Sequence, residues 1–326
     1  MMTNLDSPKS VSLCTLFDSN FLLQGLALIK SIEKSSTLSI NWTVLALDRK
    51  SENFLASLKK SNLKIVNLNS IQDKDLYALI GRRPWREICW TSAACLLNYL
   101  KLKTPPGDLI AYVDADCFFY SDIAITLSQL KIKGSIGIHE HRYSEDRLDF
   151  LEKSGRFNVG LISGITGKNF DDCIDLWRKQ VLNDCSVDPE KGKCGDQTYL
   201  NEWPDLYENT VIFHDKGIGC APWNVNSYKI SRVNRIINVN SVPLQFFHFH
   251  ALQIGYLGKK LALFVPANGY KLNKNEIKPI YVEYIRSMQY LIAKYPDIPI
   301  PNYRRNVKWW LSNFLRRNLL FSLNLK

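Results

Sequence analysis

The chain has 326 residues, of which 46% are hydrophobic and 22% charged, and carries a formal net charge of +11. That length suits one large α/β domain or a domain with an appendage, and the composition is that of an ordinary soluble globular protein. The charge favours acidic partners such as nucleic acid, anionic lipid or a phosphorylated small molecule, while eight cysteines without a Cys-x-x-Cys spacing exclude zinc-ribbon and thioredoxin-like readings and fit a reducing, cytoplasmic setting.

Residues 1–10 have no apolar signal core, and no run of about 18 apolar residues suits a membrane span. Val11–Phe17 reads as a first strand, and Leu22, Leu23, Leu26, Ile29 and Ile32 then recur at helical spacing, with Asp18 or Asn20 as N-cap. Trp42–Leu47 is a second strand, Glu52–Lys60 a short helix and Lys64–Leu68 a third strand. This alternation predicts a mostly parallel sheet with right-handed crossovers. The first strand-to-helix turn has neither Gly-x-Gly-x-x-Gly nor a P-loop, which argues against a nicotinamide dehydrogenase or a P-loop NTPase. Gly81–Glu87 is a basic break before a helix from about Ile88 to Lys101.

Leu109–Val113 is apolar and ends in Asp114-Ala115-Asp116. A buried strand that ends in carboxylates spaced i, i+2 points both toward one small volume at the carboxyl edge of the sheet. Their mutual repulsion would be relieved by a hard divalent cation. Ser135–His139 and Phe157–Gly164 read as further strands, Glu140–Gly155 as a polar loop or flap, and Asn169–Leu182 as a helix. Gly195-Asp196-Gln197 opens a short helix toward Trp203, and residues 217–224 form a tight loop. Leu244–His250 is an apolar strand with His248 and His250 on one face.

Pro279–Lys294 is a helix with proline in its first turn. Tyr303–Lys326 holds Arg304, Arg305, Lys308, Arg316, Arg317 and Lys326, no acid, and Val307, Trp310, Leu311, Phe314, Leu315 and Leu319 at helical spacing. A basic amphipathic helix of this kind suits an anionic membrane surface. Nucleic-acid binding is not expected, because the basic residues gather in a tail without a reader motif. Two regions follow: residues 1–270 as the main domain and 271–326 as a helical, basic appendage.

The order Asp18-Ser19-Asn20, Cys89-Trp90-Thr91, Asp114-Ala115-Asp116, Asn158-Val159-Gly160, Gly195-Asp196-Gln197, Trp223-Asn224 and His248-Phe249-His250 resembles bacterial nucleotide-sugar glycosyltransferases of the GT-A fold, family eight or family-eight-like. The resemblance covers about residues 11 to 265. It implies an α/β fold with a mostly parallel central sheet flanked by helices, and a Mn2+ or Mg2+ ion on Asp114, Asp116 and His248, with His250 the alternative third ligand. It implies donor contacts at Thr15, Asp18, Asn20, Arg86, Thr91 and Asp114. Asp196, Gln197 and Asn158 become the catalytic set around the transferred sugar. Two departures stand: Ala251 and no Lys-Pro-Trp triplet follow the late histidines, and Cys89-Trp90-Thr91 replaces a Tyr-Ala-Arg pattern.

The expected activity is transfer of a hexose from a nucleotide-diphosphate sugar, a UDP-sugar for choice, to a surface-glycan or lipid-linked acceptor with retention of configuration. The expected place is the inner face of the cell membrane, with the protein peripheral to it. The alternatives are a catalytically inactive glycan- or membrane-surface-binding protein on the same fold, and a sugar-phosphate nucleotidyltransferase.

Overall fold

A computed structural model describes residues 9–257, 260–264, 270, 272–299 and 319–324. Strand β1 (Ser10–Phe17), helix α1 (Leu22–Ser35), β2 (Ser39–Ala46), α2 (Arg49–Ser57) and β3 (Leu63–Val66) give the expected alternation. Two short helices, α3 (Leu68–Ile71) and α4 (Lys74–Leu79), lead into α5 (Trp85–Lys101). Next come β4 (Leu109–Val113), β5 (Cys117–Phe119), α6 (Ile123–Leu127), β6 (Ile136–Glu140) and α7 (Phe150–Ser154). They are followed by β7 (Phe157–Ile165), α8 (Lys168–Asn183), β8 (Val187–Asp188), β9 (Lys193–Cys194), α9 (Trp203–Leu206) and β10 (Thr210–Phe213). A small antiparallel sheet of β11 (Ile230–Val233), β12 (Ile236–Val239) and β13 (Val242–Pro243) precedes β14 (Phe246–His248). The chain continues with β15 (Gln253–Leu257), β16 (Lys260–Phe264), α10 (Lys274–Lys294) and β17 (Leu319–Asn324).

The central sheet has seven strands in the order β10-β6-β7-β4-β1-β2-β3. All neighbours are parallel except β7, which runs antiparallel to both β4 and β6. Strand alternation divides the core into two layers. On one face Val11, Leu13 and Phe17 pack with Leu22, Leu26 and Ile29 of α1 and with Ile277, Tyr281, Tyr284 and Met288 of α10. On the other, Cys14 and Leu16 pack with Ala93, Leu97 and Leu100 of α5 and with Phe170, Trp177 and Val181 of α8. Both faces of β1 and β4 are therefore covered, which is why those strands read as unbroken apolar runs.

Several local expectations change. The N-cap of α1 is Phe21, without a side-chain cap; Asp18 Oδ1 instead accepts from the backbone of Asn20 at 2.8 Å and of Phe21 at 3.3 Å, closing the turn before the helix. Helix α5 starts at Trp85 rather than Ile88, and the Glu140–Gly155 loop contains α7. Helix α10 starts at Lys274, so Pro279 lies inside it rather than in its first turn. The tail expected as one helix to Lys326 ends differently: Leu319–Asn324 is a strand that pairs antiparallel with β16. Residues 303–318 and 325–326 of that tail lie outside the described residues.

Candidate active site

Strand β4 delivers its two carboxylates into a turn that the backbone closes at once. Asp114 N donates to Gly160 O of β7 at 3.1 Å, and Cys117 N donates to Asp114 O at 3.0 Å. Strands β5 and β14 pair antiparallel, with Cys117 opposite His248. His248 N donates to Cys220 O and Phe249 N to Asp116 O, each at 2.8 Å, so the strand carrying the histidine is held from two sides.

The side chains converge. His248 Nε2 lies 3.0 Å from Asp116 Oδ1 and 3.9 Å from Asp114 Oδ2. His248 Nδ1 is 3.1 Å from Asn158 Oδ1, and the Tyr112 hydroxyl donates to Asp114 Oδ1 at 2.8 Å. Burial raises Asp114, and Asp116 adds to the rise against the pull of His248. For Asp116, burial works upward but the charge and hydrogen bond of His248 outweigh it, so its carboxyl is held below the usual value. His248 is the counterpart: burial pulls it down, and Asp116 more than reverses this.

Asp116, Cys117 and His248 each offer a ligand atom within 4.8 Å of the others. Cys117 was not expected there, although it directly follows the second aspartate. Burial and the neighbouring Asp116 push its thiol well above the ordinary range, so it stays protonated beside Gly160 O at 3.5 Å. The carboxylates of Asp114 and Asp116 with the His248 imidazole form a donor set whose chemistry suits Mn2+ or Mg2+.

These groups open on a cavity of about 540 Å³. Asp18, Arg86, Asp114, Asp116, Asn158, Asp196, Gln197, His248 and His250 all line it, together with an apolar set of Leu16, Phe17, Phe21, Leu47 and Trp85. Ser19 N and Oγ donate to Asp48 Oδ2 at 2.9 and 2.6 Å, which ties the turn carrying Asp18 to the end of β2. Helix α5 contributes Trp85, Arg86, Cys89, Trp90 and Ala93, one face at helical spacing, with the Arg86 guanidinium 4.9 Å from the Trp90 ring centre. The carbonyl of Asp196 accepts from Trp177 Nε1 at 2.9 Å, and Gln197 Nε2 donates to Ser154 O at 2.9 Å. Burial, reinforced by Asp114, holds the Asp196 carboxyl well above the usual range.

Three expected donor contacts are not brought to the cavity. Thr15 is fully buried within β1. Thr91 lies off the cavity face of α5 and donates its hydroxyl to Glu87 O at 2.7 Å, one turn back. Asn20 is exposed and donates to Asp18 Oδ2 at 3.0 Å. His250 lines the cavity, but its Nδ1 is 2.7 Å from the Tyr270 hydroxyl, and no ligand group of His250 joins the Asp116–His248 cluster. The following Ala251 takes φ 59°, in the left-handed region that favours glycine. His141 and Trp223 were not singled out as site residues. Trp223 packs edge-on to His141, His248 and His250 and donates from Nε1 to His141 O at 2.9 Å. The signal for His141 was its i, i+2 spacing from His139 at the end of a strand.

The fold, a mostly parallel central sheet flanked by helices, is the GT-A fold. The bifunctional glycosyltransferase WbbM shares it at a TM-score of 0.51 and 13% identity, covering 97% of this chain and 53% of that one. The galactosyltransferase LgtC, solved with donor and acceptor sugar analogues, aligns at a TM-score of 0.49 and 14% identity over 73% of this chain and 87% of its own. Two uncharacterised proteins of Bacillus subtilis (strain 168) are similar in sequence. YfnF is 29% identical over 249 residues, 74% of this chain and 81% of that protein; YfnD is 27% identical over 208 residues, 63% and 67%. The chain matches no protein-family model.

Proposed function

We propose that the protein is a metal-dependent glycosyltransferase of family-eight type that moves a hexose from a nucleotide-diphosphate sugar, a UDP-sugar for choice, to a surface-glycan or lipid-linked acceptor with retention. The observation that carries the proposal is the Asp116–His248 pair at 3.0 Å opening on one cavity with Asp196, Gln197 and Arg86. Asp116 and His248, with Asp114 beside them, would hold Mn2+ or Mg2+. Such an ion supplies Lewis-acid stabilisation of the charge on a leaving diphosphate.

The chain's own groups do the rest. Arg86 offers a fixed positive charge to the diphosphate, a part that glycine-rich loops play in other nucleotide folds. Asp18 and the apolar set from Leu16 to Trp85 suit the nucleoside. Asp196 accepts hydrogen bonds from sugar hydroxyls. Gln197, its amide oriented through the Ser154 carbonyl, faces the anomeric carbon and stabilises positive charge that develops there.

The test is a thermal-shift screen of nucleotide sugars with and without Mn2+. One donor should raise the melting temperature only when the ion is present, because a ligand that binds the native state stabilises it. Asp116→Ala should abolish both the shift and donor hydrolysis. No shift with any donor would favour an inactive binding protein, and pyrophosphate release from a nucleoside triphosphate and a sugar phosphate would favour a nucleotidyltransferase.

We assign the sugar chemistry to residues 1–270 and membrane contact to the basic residues that precede β17. No described helix is long and apolar enough to cross a membrane. Replacing Arg304, Arg305, Lys308, Arg316 and Arg317 by glutamine should weaken binding to anionic vesicles by well over tenfold, at about 1 kcal/mol per basic residue, with donor hydrolysis kept. Unchanged vesicle sedimentation would remove the membrane role.

A further inference from the structure

We infer that Asn158 is a positioning residue for His248, fixing which imidazole nitrogen faces the metal, rather than a group that contacts the sugar. The inference rests on the metal reading above and concerns how this chain prepares the site.

The orientation of the Asn158 amide is decided by its neighbours. Gly160 N can only donate, and it lies 2.8 Å from Asn158 Oδ1. The same oxygen is 3.1 Å from His248 Nδ1, so that nitrogen must carry the hydrogen. With that hydrogen fixed on Nδ1, the neutral ring turns its Nε2 lone pair to the side where Asp116 lies, and the protonated ring donates from Nε2 to Asp116 Oδ1 at 3.0 Å instead. This is the arrangement that orients a ligating histidine and raises its basicity: the far N–H donates to a fixed oxygen.

The other end of the amide is also taken. Asn158 Nδ2 is 3.2 Å from His141 Nε2 and 3.4 Å from Gln197 Oε1. Burial pushes the His141 ring down to about 3, so it is neutral and can accept. An amide has two hydrogens and two strong acceptor positions, and here protein groups engage all four. Asn158 is buried, and no hydrogen-bonding capacity is left over for a sugar hydroxyl.

Gly160 accounts for the spacing. A Cβ there would stand 2.7 Å from Asn158 Oδ1 and 2.8 Å from His248 Nδ1. The two residues share a face of β7, and a side chain at position 160 would part the pair that the asparagine joins. The Asn-x-Gly motif is thus a seat for the histidine.

The experiment is Mn2+ titration without any donor, reading free Mn2+ by its paramagnetic resonance signal and recording each variant's melting temperature. Asn158→Ala should weaken Mn2+ binding by about 10- to 100-fold. Asn158→Asp keeps the oxygen acceptor and loses the amide hydrogens, so it should bind Mn2+ as tightly as wild type or more tightly. If Asn158→Ala does not fold, Gly160→Ala serves instead and should weaken Mn2+ binding with the asparagine still present. Wild-type affinity in Asn158→Ala, or equal weakening in Asn158→Asp, would overturn the positioning role alone. A wild-type protein that binds no Mn2+ would overturn the metal reading and this inference with it.

Discussion

A single side chain too many would disturb the loop that supports β14. Gly219 takes φ +68°, and a Cβ there would lie 2.3 Å from His139 Nδ1, whose ring is fully buried. Its carbonyl accepts from Asn224 Nδ2 at 3.0 Å, and the next residue, Cys220, takes the backbone hydrogen bond of His248. Gly219→Ala combines left-handed strain with overpacking, so it should destabilise the fold by about 2–5 kcal/mol, measured by urea unfolding. A change below about 1 kcal/mol, an ordinary surface effect, would mean that the loop relaxes freely and that His139 is not confined. Asp114, Asp116, Asn158, Asp196, Gln197 and His248, marked in the sequence by an acidic strand end, an Asn-x-Gly, a Gly-Asp-Gln and a late histidine, all line one cavity. Helix phase, which the motif order does not carry, decides where Thr91 points. Cavity positions on α5 run 85, 86, 89, 90 and 93, and position 91 points elsewhere.

Between elements, Arg178 ties the helix before α5 to the helix behind the sheet through ion pairs with Asp73 and, at 3.0 Å, with Asp75. Arg178 of α8 donates from Nε and Nη2 to the two oxygens of Asp73 at 2.7 and 2.6 Å, and Asp73 also caps α4 through Leu76 N at 3.1 Å. The aspartate side chain is 6% exposed. Burial works against its charge, but the Arg178 and Leu76 hydrogen bonds prevail and hold the carboxyl below its usual value. A depressed carboxylate contributes stability above its unfolded pKa of about 4, and that contribution fades as pH falls through the lower folded value. Asp73→Asn should therefore cost about 1.5–3 kcal/mol at pH 7, the range for hydrogen bonds to a charged group. The gap between wild type and variant in urea midpoint should close below pH 4. A gap independent of pH would deny the charge any part. Element existence was legible from periodicity, and the boundaries less so, since caps and tertiary contacts set them. The helical spacing that ends at Leu319 gives no sign of β17, whose strand form is selected by pairing with β16.

Across the whole molecule, the parallel strands and their helices could be read from the alternation near the start of the chain. The antiparallel β7 could not, because a long apolar run carries no direction. Packing of α10 onto the first core layer was equally silent in the sequence, although Tyr281, Tyr284 and Met288 supply much of its buried bulk. The pairing of β5 with β14 has a consequence for folding. It joins segments far apart along the chain, so its loop-closure entropy is met only once the intervening strands are in place. Asp116 and His248 sit at that late junction. On the metal reading proposed above, an ion held between them would be a removable cross-link between distant segments, and its binding energy would belong to the fold as a whole. The same junction would then act as a checkpoint: a chain that had not paired β5 with β14 would have no place to bind the ion.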